Sequence, residues 1–190
     1  SDPWTLVINK TLIVEGGYST ADDETWMDPD PVEHPSVLDA QGLGGVVHIS
    51  TSNTDVTLRY LTITGGKRSH YAGVLVNQGA RATVEYCTIT NNHAVNWGGG
   101  LSNYSGTLTA TGNLIKNNTA SRAPGVYNYK GATAVPMLVM RNNTVTGNEA
   151  TATANVGGGG GIYNVNGEAV LQFNTVIGNT AHFRGANIRL

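Results

Sequence analysis

The stretch Gly98–Asn118, GGGLSNYSGTLTATGNLIKNN, decides how the rest of the chain is read. It runs in the order glycine turn, short strand, glycine turn, alternating strand, double asparagine. The same order appears upstream at Ala72–Asn92 (AGVLVNQGARATVEYCTITNN) and downstream at Gly160–Asn179 (GGIYNVNGEAVLQFNTVIGN). A diverged copy lies between them, with Pro124–Asn128 leading into Met140–Asn148.

Taking Ile63, Ile89, Ile115, Val145 and Val176 as equivalent points, the spacings are 26, 26, 30 and 31 residues. The two longer steps require insertions, and the Gly-rich segment 149–161 supplies one. A period in the twenties marks a solenoid. Each unit holds strand-length pieces and no helix-length piece, and the Leu/Asn consensus of a leucine-rich repeat is missing. The expected fold is therefore an all-β, right-handed parallel β-helix of about seven coils, the last incomplete, forming one domain over residues 1–190. Residues 19–36, rich in Asp, Glu and Pro, read as an excursion loop from the first coil.

The register agrees at other positions. Leu58, Val84, Ala110, Met140 and Leu171 form one apolar column; Val56, Ala82, Leu108, Leu138 and Ala169 form another. Polar neighbours alternate with them, as strands with one face inward require. After each glycine turn the inward positions are Val74 and Val76, Leu101 and Asn103, Val126 and Asn128, Ile162 and Asn164, then Ile188 and Leu190. Two asparagine ladders are expected from this alignment: Asn103, Asn128, Asn164, and Asn113, Asn143, Asn174. The second has Leu61 and Cys87 in its earlier coils. Stacked amides hydrogen-bond along the axis and satisfy polar atoms that are costly to bury unpaired.

Composition limits the function. Charged residues are 13% of the chain and the formal net charge is -2, so there is no basic stripe for nucleic acid. No apolar run reaches membrane-spanning length. The chain opens at Ser1-Asp2-Pro3 without a signal peptide, as a processed mature chain or an excised domain would. Cys87 stands alone, so no internal disulfide is expected. The sequons at Asn9, Asn103, Asn117 and Asn142 carry little weight in a Thr/Asn-rich chain.

Three segments, Ile13–Tyr18 (IVEGGY), Val37–Gly42 (VLDAQG) and Val56–Gly66 (VTLRYLTITGG), resemble the opening of bacterial secreted right-handed parallel β-helix proteins. The GGGL and GGGI motifs (Gly98–Leu101, Gly159–Ile162) and the Asn-Thr-Ala tails (Asn118–Ala120, Asn179–Ala181) resemble the same group. They are also similar to the GGA-I motif of polymorphic outer-membrane proteins. The resemblance implies a pectate-lyase-like fold and an extracellular or cell-surface setting. It says little of activity, because the shared motifs encode coil geometry.

Many proteins of that fold cleave acidic polysaccharides with several carboxylates on neighbouring coils. Here eight of the 13 acids fall between Glu15 and Asp39, and the later coils carry only scattered ones. Glu85 falls beside Arg59, which reads as a cross-strand ion pair and not as an acid–base pair. The acidic run Asp22–Glu33 lacks the spacing of an EF-hand. The five histidines show no zinc spacing, and Gly157–Gly161 lacks the Lys-Ser/Thr of a phosphate loop. No catalytic residue, cofactor or metal site is expected.

Aromatics offer a binding surface. Tyr104 and Tyr129 share a column, Tyr127 and Tyr163 share its neighbour, and Trp97 lies in the turn before Leu101. An exposed strip of this kind stacks on sugar rings or on protein. The leading expectation is a non-enzymatic extracellular solenoid, structural, filament-forming or adhesive. Its partners are another copy docked head-to-tail on the open coil at Ile188, Arg189 and Leu190, or the remainder of a longer chain. The alternatives are a polysaccharide lyase or hydrolase, and a glycan-binding module using the tyrosine columns.

Overall fold

The computed structural model describes residues 3–19, 29–131, 135–153, 158–183 and 185–190. Four parallel sheets wrap one core. Sheet one has seven strands, from Trp4–Ile8 to Ile188–Arg189. Sheet two runs from Leu12–Glu15 to Glu168–Gln172, and sheet three from Ser36–Asp39 to Thr175–Ile177. Sheet four, the narrowest, runs from Lys67–Arg68 to Thr180–Ala181. The central turn visits them in order as Leu101–Tyr104, Thr107–Thr111, Leu114–Lys116 and Thr119–Arg122.

Five turns carry all four strands among the described residues, with a three-strand turn before them and a single strand after. This corrects the coil count of about seven. The difference lies at the ends, where the count of seven takes in the three-strand first turn and the lone last strand; within the full turns the Asn-Thr-Ala tails, such as Asn179–Ala181, pair as a short fourth strand. For the same reason Trp97 ends the strand His93–Trp97, and Glu149–Ala150 is a strand and not part of the glycine insertion. Residues 20–28 of the 19–36 excursion, and residues 154–157 of the insertion, lie outside the described residues.

The apolar columns stack as the period requires. Ile63 pairs with Ile89, Ile89 with Ile115, Ile115 with Val145 and Val145 with Val176. The first four of these side chains are fully buried. Ile188 and Leu190, expected inward, are 44% and 79% exposed, because no described strand lies beyond theirs to cover them.

Single residues in the left-handed region turn the chain between sheets. The corner from sheet two to sheet three is made by Tyr60, Tyr86, Gly112, Asn142 and Phe173, with φ of 57, 52, 65, 55 and 55°. Each non-glycine corner opposes an intrinsic cost of about 1–2 kcal/mol. The ladder hydrogen bonds on both sides hold it there.

Three asparagine ladders run inside the coil. Asn103 Nδ2 donates to Asn128 Oδ1 at 2.8 Å, and Asn128 Nδ2 to Asn164 Oδ1 at 2.7 Å. Asn113, Asn143 and Asn174 connect in the same way, at 2.9 Å per step. The third ladder, Asn92–Asn118–Asn148–Asn179, was not read from the sequence, although an asparagine stands three residues after each of the last four anchors. Asn118 shows the geometry. Its Nδ2 donates to Asn148 Oδ1 and to the Ile89 carbonyl, while its Oδ1 accepts both the N–H and the Nδ2 of Asn92, all at 3.0 Å.

Asn118→Ala strands several of these buried groups and should cost roughly 3 kcal/mol. Asn174→Ala, at a half-buried end, should cost roughly 1 kcal/mol. Urea midpoints at pH 7 measure both; equal losses would contradict a stabilising role that depends on burial.

Cys87 occupies an asparagine position. Its Sγ approaches the carbonyls of Leu58 and Glu85 at 3.6 and 3.3 Å, where Asn143 Nδ2 meets those of Ala110 and Arg141. Burial pushes its thiol up to about 11. Cys87→Asn should therefore extend the ladder by one rung and raise stability by about 1 kcal/mol. Chemical denaturation checks this, and a destabilised variant would show that the column cannot take another amide.

Candidate functional site

Strand alternation puts Leu101, Asn103, Val126, Asn128 and Ile162 inside sheet one and turns Ser102, Tyr104, Tyr127, Tyr129 and Tyr163 outward. The two predicted tyrosine columns are present as register pairs, Tyr104 with Tyr129 and Tyr127 with Tyr163. The structure joins them. Ring centroids lie 5.4 Å apart for Tyr104–Tyr129, 5.6 Å for Tyr127–Tyr129 and 5.9 Å for Tyr127–Tyr163. Tyr71, a left-handed corner residue with φ 55°, adds contacts to Tyr104 and Tyr127 at 6.1 and 6.4 Å.

The sheet-four border carries Arg68 and Arg122 onto this surface, and the last strand of sheet one carries Arg189. The Arg68 guanidinium lies 4.2 Å from the Trp4 ring centroid, Arg122 lies 5.5 Å from Trp97, and Arg189 lies 4.7 Å from Tyr163. His48 stacks on Trp4 at 4.9 Å, and His70 meets the edge of Trp97 at 5.1 Å. Such pairs fix the rings and hold guanidinium planes along the surface. Burial pushes the Tyr71 and Tyr127 phenols well above their ordinary range, so both remain hydrogen-bond donors across the physiological range.

A cleft of about 340 Å³ opens beside the strip, lined by Trp4, His48, Arg68, His70, Tyr71 and Tyr104 among others. His48 Nε2 is buried in its wall and has no hydrogen-bond partner among the described residues. Burial, and secondarily the Arg68 charge, hold the imidazole below its ordinary pKa.

Among the described residues the acids of sheets two and four lie elsewhere. Glu15, Asp55, Glu85 and Glu168 are on sheet two, and Glu149 on sheet four pairs with His182 at 3.3 Å. Arg59 approaches Glu85 only to 3.9 Å. Its principal partner is Glu15, with Nη2 donating to Oε2 at 2.9 Å and Nε 2.6 Å from Oε1 in an ion-pair contact poorly aligned for a hydrogen bond. That hydrogen bond holds the Glu15 carboxyl below the usual carboxylate range. Most of the acidic run 22–33 lies outside the described residues. Asp30 Oδ1 accepts the N–H groups of Val32 and Glu33, an ordinary turn.

A family model for the right-handed β-helix region matches residues 41–181, well over half of the chain. The chain belongs to the right-handed β-helix family. Comparison with curated proteins and with solved structures gives no match.

In this β-helix the six predicted ladder asparagines are joined in two hydrogen-bonded columns. Of the four predicted contact tyrosines, Tyr104, Tyr129 and Tyr163 are half-buried on the outer face of sheet one, whereas Tyr127 is packed among them and buried, so it offers little surface to a ligand. Ile188 and Arg189 form its outermost strand, and Arg189 is engaged with Tyr163. Trp4, His48, Arg68, His70, Tyr71 and Arg122 were not read as site residues. Arg122 alone had a legible signal, since it falls in register with Trp97.

The depressed His48 pKa makes stability pH-dependent. As pH falls below about 6.5, the unfolded chain takes up this proton before the folded one does. Stability should therefore decline between pH 7 and pH 5, and His48→Gln should remove part of that decline. Urea midpoints at the two pH values measure the difference; an identical slope in the variant would contradict the assignment.

Proposed function

We propose that this β-helix is a non-enzymatic extracellular or cell-surface solenoid that holds glycan chains on the outer face of sheet one. The carrying observation is the connected set of five tyrosines, Tyr71, Tyr104, Tyr127, Tyr129 and Tyr163, on four successive coils, in which the buried Tyr127 ties together four partly exposed rings. Aromatic rings fixed by packing offer flat apolar area at little entropic cost, and each stacked partner contributes about 0.5–1.5 kcal/mol. Buried phenols that keep their protons add hydrogen-bond donors for hydroxyl groups. The resemblance to secreted pectate-lyase-like and outer-membrane repeat proteins supports the surface setting.

The position of the carboxylates favours binding over hydrolysis or elimination. Glu15 and Glu85 are engaged with Arg59 on another sheet, away from the aromatic face. A glycan array followed by affinity electrophoresis tests the reading. Tyr104→Ala with Tyr129→Ala should weaken retention at least tenfold with little change in the thermal midpoint. Absence of any retained glycan, or unchanged retention in the double variant, would refute it; release of reducing or unsaturated sugars would replace it with the enzymatic alternative.

A further inference from the structure

We infer that the outer face of sheet three binds the surface of ice, through a grid of threonine hydroxyl and methyl groups. The grid lies on a different sheet from the glycan face and does not depend on it.

The grid follows from the ladder. Ile63, Ile89 and Val145 are fully buried, so the residues on either side of each point outward. Those neighbours are Thr62 and Thr64, Thr88 and Thr90, and Thr144 and Thr146. Thr62 is in register with Thr88, and Thr144 with Thr175. Rungs repeat at about 4.8 Å across the sheet, and outward neighbours on one strand stand about 6.6 Å apart along it. A face that repeats in two directions matches a ligand that does the same, and the rung repeat lies close to that of the water oxygens along one axis of hexagonal ice. Threonine is stiff at χ1, so each hydroxyl and methyl keeps a fixed direction.

The hydroxyls are available. Elsewhere threonine side chains bond within the protein, as Thr54 does to the Thr51 carbonyl and Thr151 to that of Ala120. Among the described residues no such bond engages the threonines of this face. Thr90 Oγ1 is even buried without a partner among those residues. Lattice water meets such hydroxyls without displacing any bond of the protein.

Charge is kept off this face. The outward positions of sheet two carry Asp55, Arg59, Arg81, Glu85, Arg141 and Glu168. Sheet three carries Asp39 on its first strand and Lys116 in its middle. An ammonium group holds its own hydration shell, whereas water over methyl groups is already restricted in orientation.

Leu114 and Lys116 interrupt the grid. Leu114 pairs with Thr88 and Thr144, and Lys116 with Thr90 and Thr146. Pro31, Val32 and Pro35 border Thr62 and Thr88, so the open part of the face is at the other end of the sheet, around Thr144, Thr146 and Thr175.

Slow growth of ice on a cold finger tests this, with serum albumin in the same solution as the reference. The protein should enter the ice at a concentration ratio tenfold or more above that of albumin. Thr144→Lys with Thr146→Lys should be excluded as albumin is. Thr83→Lys, on sheet two between Arg81 and Glu85, should behave as the unaltered protein does. Leu114→Thr with Lys116→Thr closes the grid and should at least double the thermal hysteresis at equal molar concentration. That gain keeps the inference testable if the lysine pair does not fold.

Exclusion of the unaltered protein from ice overturns the inference and leaves the glycan face standing. An equal loss in Thr83→Lys also overturns it, since added charge then explains the effect. Unchanged or lower hysteresis in folded Leu114→Thr with Lys116→Thr refutes the grid. A dimer in sedimentation that the lysine pair abolishes assigns the face to a second copy and overturns the ice reading.

Discussion

Everything in this molecule depends on the register between one coil and the next. Parallel pairing alone does not hold a strand of three residues in place, since a slip by one would turn every inward side chain outward. Here the slip is blocked from within. A ladder asparagine closes a chelate with its neighbour, its oxygen taking both the main-chain N–H and the side-chain amide of the coil before, as Asn118 does for Asn92. A shifted strand would break both bonds and bury an amide without partners. Two such columns, through Asn113 and Asn118, and a third through Asn103 joined by side-chain amides alone, stand at different corners of the coil, so the cross-section is pinned at several points and the apolar columns fall into line between them.

That constraint explains why the fold was legible. Isoleucines at 63, 89 and 115 recur because each must lie on its equivalent, and the asparagines at 103, 128 and 164 recur for the same reason. Pattern failed where pairing is short. The two-residue strands of sheet four have no alternation to display, and Glu149–Ala150 passed for part of the glycine insertion. The ladder through Asn92 and Asn118 was hidden differently: asparagine is also the expected residue of a left-handed corner, and Asn91 and Asn117 fill that role next door.

The aromatic face was half legible for a related reason. Tyr104, Tyr127, Tyr129 and Tyr163 lie in sheet register, so counting found them. Tyr71 sits on a corner, and Trp4, Arg68 and His48 come from different strands whose side chains meet only after the coil closes. Their association depends on small residues beneath them: Gly45 under Trp4, and Gly98 against the Tyr71 ring. No spacing rule connects position 4 with position 68.

The unequal spacing of the anchors has a consequence for how such a surface diversifies. The extra residues of the two long steps follow Tyr129 and Ala150, at the two margins of sheet one. Gly158, at the end of the second insertion, lies against Tyr163 and Arg122. Length is thus free to vary only at corners, where no rung is broken, and in this chain both long corners open beside the aromatic strip. Evolution can lengthen or shorten the banks of that strip without touching the interior that keeps its rings aligned.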